Sequence, residues 1–305
     1  MNKRYNNYHK HSSWSNVKTR DCIVSMEEYM QRAVELGHTT YFTTEHGWQG
    51  NLPLAFTLCQ EYGLKCVYGV EAYYVDNLYD KKDKSNYHLM LVALNKSGQK
   101  QINKILSIAN TEGFYYKPRI DLNCLLSLNP EDVIITTACV AGRMFKEDWE
   151  EKFFVPVLNH FKDNFYLEIQ NHNCNIQKEY NKKILEVSKK YNVSIIHAND
   201  SHYIYPEDSK YRDLYLKAKG IIYSDESEFI LDYPSYDEII RRYKEQGILN
   251  DEEIYKALEN TLVFDKAEGI HFDKEFKMPD INYNILSSMM NKEYSCKDSD
   301  DKILQ

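Results

Sequence analysis

The chain has 305 residues, 43% hydrophobic and 28% charged, which suffices to bury a large core as one big domain or two small ones without a disulfide scaffold. Its seven cysteines are odd in number and include no short-spaced pair, which points to a reducing compartment, and a net charge of −8 argues against a domain that grips duplex DNA through a basic surface of its own. The opening MNKRYNNYHKH lacks the apolar region of a signal peptide and no apolar run approaches the ~20 residues needed to span a bilayer, so the expected location is cytoplasmic, with no membrane partner.

Tyr5 to His11 is predicted as a short strand. Ser25 is placed to cap a helix running through Leu36, with Glu28 completing a capping box and Gly37 ending it. Strands are expected at Thr40 to Thr44, Lys65 to Val75, Tyr87 to Leu94, Val133 to Ala138, Phe165 to Gln170 and Val193 to Ala198. Helices are expected at Pro53 to Tyr62, Ser97 to Asn110, Glu150 to Phe161 and Ile176 to Lys190. This alternation predicts a parallel α/β fold, closed or open. From Pro206 helical patterns dominate, at Glu207 to Lys219, Tyr236 to Glu245 and Asp251 to Ala267. The expected organisation is therefore a barrel over residues 1–204, a helical extension over 205–284, and a polar, disordered tail over 285–305 carrying KDSDDK.

Metal-ligating side chains recur at matching places in this pattern. His9 and His11 stand two apart, so on a strand both imidazoles share a face. His46 follows the strand ending at Thr44, Glu71 lies within YGVEAYY, Cys139 follows VIITTA, and Asp200 and His202 follow VSIIHA, again two apart. Asp21 follows the first strand by a short loop. Nearly all of them sit at or beyond a strand's C-terminal end, the rim where parallel barrels build active sites; His88, which opens HLMLVAL, is the exception. Singly each has an ordinary explanation, such as a core histidine, a buried thiol or a turn aspartate. Glu71 is the least ordinary, because carboxylates are disfavoured within strands. Imidazole, carboxylate and a thiolate together suit zinc, manganese or iron, and the number of donors suits more than one ion.

The segments HKHSSWS, TTEHG, YGVEAY, HLMLVAL, TEGFYYKPRID, TACVAGR, FYLEIQNH and ANDSHY, in this order, resemble the PHP (polymerase and histidinol phosphatase) domain in the form found in alpha subunits of bacterial DNA polymerase III. The similarity runs from about Tyr5 to Asn284 and includes ALENTLVFDKAEGI. GFYYKPRID and Cys139 favour the polymerase form over histidinol phosphatases, which usually carry histidine where Cys139 stands. The resemblance implies a distorted (β/α)7 barrel with a helical C-terminal extension and two to three divalent ions. His9, His11, Glu71 and Asp200 would hold one ion; Glu71, His88 and Cys139 a second; Asp21, His46 and His202 a third. Glu45 stands where the family usually has Asp, and Lys10 where an apolar residue is common.

The activity implied is metal-dependent phosphodiester hydrolysis, specifically 3′–5′ exonucleolytic trimming of a DNA 3′ end beside a polymerase. Metal-bound water would be the nucleophile, with no separate side-chain base. Lys117, Arg119, Arg143 and His172 are candidates for phosphate or substrate contact, with a structural ion pair as the competing role for the first two. His38, His160, His197 and His271 match nothing in the family and read as structural or surface residues. Expected partners are the remaining polymerase III alpha segments or other replisome proteins, in a bacterial or phage-infected cell, since no polymerase palm is recognisable in the chain. The alternatives are a non-catalytic, metal-stabilised scaffold and a small-molecule phosphomonoesterase.

Overall fold

A computed structural model describes residues 3–221, 228–270 and 272. Residues through Ile270 form one compact unit, with no division near residue 204. The expected tail at 285–305 and the end of the extension lie outside the described residues.

The elements follow in order. α1 (Met26–Glu35) is opened by Ser25 and Glu28 in a complete capping box, as the sequence predicts. β1 (Thr40–Phe42), α2 (Leu52–Glu61), β2 (Lys65–Val67) and β3 (Gly69–Tyr74) come next. Then follow β4 (Tyr87–Ala93), α3 (Lys96–Asn110), β5 (Arg119–Ile120), α4 (Leu122–Leu126) and β6 (Val133–Thr136). A π-helical stretch, Glu150–Phe154, leads into α5 (Val155–Phe161), where one helix is expected. β7 (Phe165–Ile169), α6 (Asn175–Tyr191) and β8 (Ile195–His197) complete the alternation, followed by α7 (Ser209–Ala218), α8 (Tyr236–Gln246) and α9 (Asp251–Asn260).

The main sheet runs β5-β3-β4-β6-β7-β8, and β1 pairs with β2 in parallel. The segment from β2 to β3 is one predicted strand broken at Tyr68, so that its two halves serve different neighbours. Backbone bonds from Thr43 to Val67 and between Glu45 and Glu71 carry the ring from β1 to β3. At the other edge His9 and His11 exchange backbone bonds with Ser201, just beyond β8. Between residues 8–10 and β1 the link is made by side chains: Thr44 Oγ donates to the carbonyls of Tyr8 and Lys10, and Lys10 Nζ donates to that of Phe42. The ring therefore closes as a distorted α/β barrel, and residues 5–11 form no regular strand, because side chains stand in for part of their ladder.

A further departure is β4, which runs antiparallel to both β3 and β6. It joins β3 through a hairpin-like connection with no crossover helix, and antiparallel neighbours need none.

Two apolar layers hold the barrel. Inside it pack Tyr8, Phe42, Val67, Met90, Ile134 and Ile196, all fully buried. Phe264, from the 3-10 turn after α9, packs on Tyr8 and Phe42 in the same cluster, so the C-terminal helical region helps fill the barrel. Outside, the opposite faces of the strands meet the amphipathic helices in a larger cluster that includes Tyr29, Val70, Leu91, Ile105, Ile135 and Ile184.

Candidate metal centre

One end of the barrel gathers the sequence-predicted donors. His9 and His11 arrive on the irregular first segment, His46 on the turn after β1, Glu71 from within β3, and Asp200 and His202 on the turn after β8. His88 is the second residue of β4. Because β4 is reversed, its N-terminal end lies at the rim where its neighbours have their C-terminal ends, in register with Tyr73 of β3. The apparent exception in the sequence is thus a consequence of strand direction. Asp200 has φ 53°, a left-handed conformation that aspartate tolerates better than most residues. Gly47, directly after His46, has φ 67°, and a Cβ there would stand 2.9 Å from Pro118 Cγ, so the turn carrying His46 packs against the GFYYKPRID segment only as glycine.

The donors converge on Glu71, which is wholly buried. Its Oε1 lies 3.2 Å from His9 Nε2 and 2.9 Å from His88 Nδ1, and its Oε2 lies 3.3 Å from His11 Nε2 and 2.5 Å from His46 Nδ1. Asp200 Oδ1 is 3.2 Å from both His9 Nε2 and His11 Nε2. His202 Nε2 lies 3.4 Å from Asp21 Oδ2, and Cys139 Sγ lies 3.7 Å from His88 Nδ1. The rings of His11 and His46 stack at 3.8 Å.

Close approach is not hydrogen bonding here. His9 Nε2, His11 Nε2, both ring nitrogens of His46 and both Glu71 oxygens are buried without a hydrogen-bond partner. Orphaned buried polar atoms are costly, and a cation held among them would satisfy so many in one place. The donor set fits divalent metal. Groups whose donor atoms all lie within 4.8 Å are His9, His11 and Glu71; His11, His46 and His202; His46, Glu71 and His88; and Asp21, Cys22 and His202.

The surrounding charges keep the carboxylates ionised. Burial alone would push the Glu71 carboxyl up, but His88, His46, His11 and His9 hold it well below its ordinary value. Asp200 is likewise held low against burial by His9 and His11. Burial, reinforced by Asp200 and Glu71, pushes the Cys139 thiol well up. His11 is pushed down to about 3 by burial and by His46, which leaves its imidazole neutral and able to ligate.

A layer of fixed partners orients the donors. Glu168, fully buried on β7, accepts from Tyr8 Oη, Thr136 Oγ, Gln170 Nε2 and His9 Nδ1 at 2.8–3.0 Å. His202 Nδ1 donates to the Asp200 carbonyl at 2.9 Å, which turns Nε2 toward Asp21. Glu45 accepts from the Ser12 amide and hydroxyl, Ser15 Oγ and Asn51 Nδ2. Ser15 Oγ in turn receives the His46 amide and lies 3.4 Å from His11 Nδ1. Lys10 points away from both histidines, onto the Tyr41 ring. Sequence reasoning missed Glu168 and Cys22. The first carried the same signal as Glu71, a lone carboxylate inside an apolar strand, and the second stands directly beside Asp21.

A cavity of about 550 Å³ opens over the cluster, lined by Asp21, His46, His88, Cys139, Asp200 and His202, with Lys117 and Lys146 on its wall. Lys117 Nζ donates to the Lys18 carbonyl at 2.5 Å and lies over the Tyr73 ring. The other substrate-contact candidates do not line this cavity. Arg119 is fully buried and donates to the carbonyls of Gly113, Asp83 and Asp80, so it ties two loops together instead of facing the cavity. Arg143 forms a bidentate pair with Asp76 and donates to the Glu147 carbonyl. His172 bonds Gln170 and receives the Ile230 amide, so it supports the cavity wall from behind. Each was drawn to the site by charge and sequence position, which do not reveal a competing local acceptor.

The chain is 33% identical over 228 residues to the DNA polymerase III subunit alpha of Aquifex aeolicus, covering 68% of this chain and 19% of the relative. It is 30% identical over 274 residues to that of Borreliella burgdorferi, covering 85% and 23%. The chain thus spans about a fifth of the length of these relatives. Among solved structures, a proposed metal-dependent phosphoesterase from Bifidobacterium adolescentis shares 13% identity over 77% of this chain and 94% of its own, at a TM-score of 0.42. The profile of the PHP domain matches residues 7–172, more than half of the chain, and the chain therefore belongs to the PHP domain family.

Proposed function

We propose that the chain is a metal-dependent phosphodiesterase that trims the 3′ end of DNA, working in the cytoplasm beside the other segments of a polymerase III alpha assembly. The observation that carries this reading is the set of buried imidazole and carboxylate atoms without hydrogen-bond partners at the floor of an open cavity. His9, His11, Glu71 and Asp200, with His88, Cys139, His46, Asp21 and His202 around them, would hold two to three ions of the zinc, manganese or iron type. Such ions lower the pKa of water and stabilise charge on a phosphoryl group. The protein's own part is positioning. Glu168 and the Asp200 carbonyl fix the His9 and His202 rings, so the ligating nitrogens are in place before substrate arrives. Lys117 offers a cationic wall for a phosphate, while Ile176, Phe229 and Leu231 line another, apolar part of the cavity. No helix among the described residues is long and apolar enough to cross a membrane.

The test is loss of label from 3′-labelled single-stranded DNA with manganese or zinc, with a chelator control and the His9→Ala/Asp200→Ala double variant. Chelator-sensitive loss, absent in the variant, is expected. Intact label on protein shown to contain metal would overturn the reading in favour of a scaffold, and turnover of a small phosphomonoester alone would redirect it to a phosphatase.

A further inference from the structure

The turn at residues 114–117 protrudes beside the cavity in an unusual form. A backbone bond from the Tyr115 amide to the Lys117 carbonyl pinches it, and Tyr116 stands at the apex with φ 59°. A left-handed conformation is a genuine outlier for a bulky aromatic residue, and nothing inside the fold repays it by burial, because Tyr116 is 70% exposed. The ring is nonetheless held. Tyr115 packs edge-on against it at 4.7 Å, and Tyr115 itself lies against the buried Arg119 guanidinium. The Lys84 ammonium stands 5.7 Å from the Tyr116 centroid. The turn is also continuous with the cavity: Lys117, the next residue, lines it, as does Asn86, two residues from Lys84. The result is an exposed aromatic ring at the mouth of the candidate metal centre, with the Lys84 ammonium over one face and Lys117 as the next residue of the turn.

From this arrangement we infer that Tyr116 is a stacking platform for an unpaired nucleobase, with Lys84 and Lys117 contacting the adjoining phosphates. Single-stranded nucleic acid is held in general by a base stacked on an aromatic ring next to cations that track the backbone. The platform also answers the acidic net charge, since stacking supplies affinity that a basic surface otherwise would. The inference rests on the proposed phosphodiesterase reading for its substrate and adds the form of that substrate, a strand whose bases are free to stack.

Binding of a fluorescent, phosphorothioate-linked 12-mer to the full manganese-loaded chain tests this, against an abasic 12-mer of the same backbone. The wild type and Tyr116→Phe should prefer the base-bearing strand. Tyr116→Ala and Tyr116→Gly, the second suited to the positive φ, should lose about tenfold in affinity for it and bind the abasic strand unchanged. Equal binding of both strands by the wild type, unaltered base preference in the Ala and Gly variants, or a Phe variant as weak as Ala would each overturn the platform. Hydrolysis of an unmodified strand is read separately. Hydrolysis without base preference sinks the platform alone, and base preference without hydrolysis sinks the enzymatic reading alone.

Discussion

His9 Nδ1 lies 2.8 Å from Glu168 Oε1, both groups fully buried, with the opposite ring nitrogen of His9 turned toward Glu71 and Asp200. A carboxylate oxygen accepting here places a proton on Nδ1 and turns Nε2 toward Glu71 and Asp200. Glu168→Gln keeps the shape but offers an amide that can donate as well as accept, which weakens the choice of tautomer. We expect metal affinity to fall about 10- to 100-fold, measured by competition with a chromophoric chelator, with little change in fold by circular dichroism. Unchanged affinity would remove Glu168 from the ligand-orienting layer.

Metal removal should be visible in stability. The nitrogens and oxygens around Glu71 have no hydrogen-bond partner among the described residues, and a cation would satisfy them. A metal present at 100 times its dissociation constant contributes about 2.7 kcal/mol by linkage. Chelation should therefore lower Tm by several degrees, and re-addition of metal should restore it. The His9→Ala/Asp200→Ala variant should show a much smaller response, and an equal response would place the stabilising metal elsewhere.

Arg119 and Lys117 stand two residues apart in one motif but make different contacts, Arg119 within the fold and Lys117 at the cavity wall. Arg119→Met removes bonds to three loop carbonyls, Gly113, Asp83 and Asp80, and leaves them buried. We expect a loss of about 2–4 kcal/mol in urea unfolding, with any remaining folded protein binding oligonucleotide through an altered 113–117 turn. Lys117→Ala should leave stability within about 0.5 kcal/mol while raising KM for an oligonucleotide. If Lys117→Ala destabilised as much as the arginine variant, its bond to the Lys18 carbonyl would be its main role.

What the sequence disclosed, and what it hid, follows from the range of the interactions involved. The α1 cap was legible because Ser25 and Glu28 are three residues apart and their reciprocal bonds are local. The α/β alternation was legible because periodicity is local. The direction of β4 was not, because a strand's pattern reads the same in both senses and only its partners, β3 and β6, decide it. That single ambiguity made His88 look misplaced. Residues 5–11 looked like a strand because their residues suit one, but their ladder to β1 is made by Thr44 and Lys10 side chains. The convergence of donors on Glu71 could be expected from their common rim position; Glu168 carried the same strand-carboxylate signal, but its role as the shared acceptor of four donors is set by residues distant in sequence. Arg119 and Arg143 show the converse limit, since a cationic side chain near a site in sequence is silent about the carbonyl or carboxylate that already holds it.

The pH response offers a test remote from the metal centre. His38 is buried against Tyr5, with Nδ1 2.7 Å from Tyr233 Oη, and burial, with Arg32 and Arg4 adding to it, pushes its pKa down to about 4. In the unfolded chain a histidine titrates near 6.5. Between these values the unfolded state binds the proton and the folded state refuses it, so stability rises with pH across that window and is lost as pH falls from about 6.5 to about 4. The expected loss from this one residue between pH 7 and pH 5 is about 2 kcal/mol. Other buried histidines shift the same way, among them His197, pushed down to about 3 mainly by burial, so the contribution is isolated by difference. His38→Gln keeps a polar partner for Tyr233 and cannot titrate. Urea unfolding of both proteins in chelator at pH 7 and pH 5 should show the wild type losing more stability than the variant by about that amount. Parallel losses would mean that His38 is protonated within the fold, and that its hydroxyl partner and aromatic neighbours tolerate the charge.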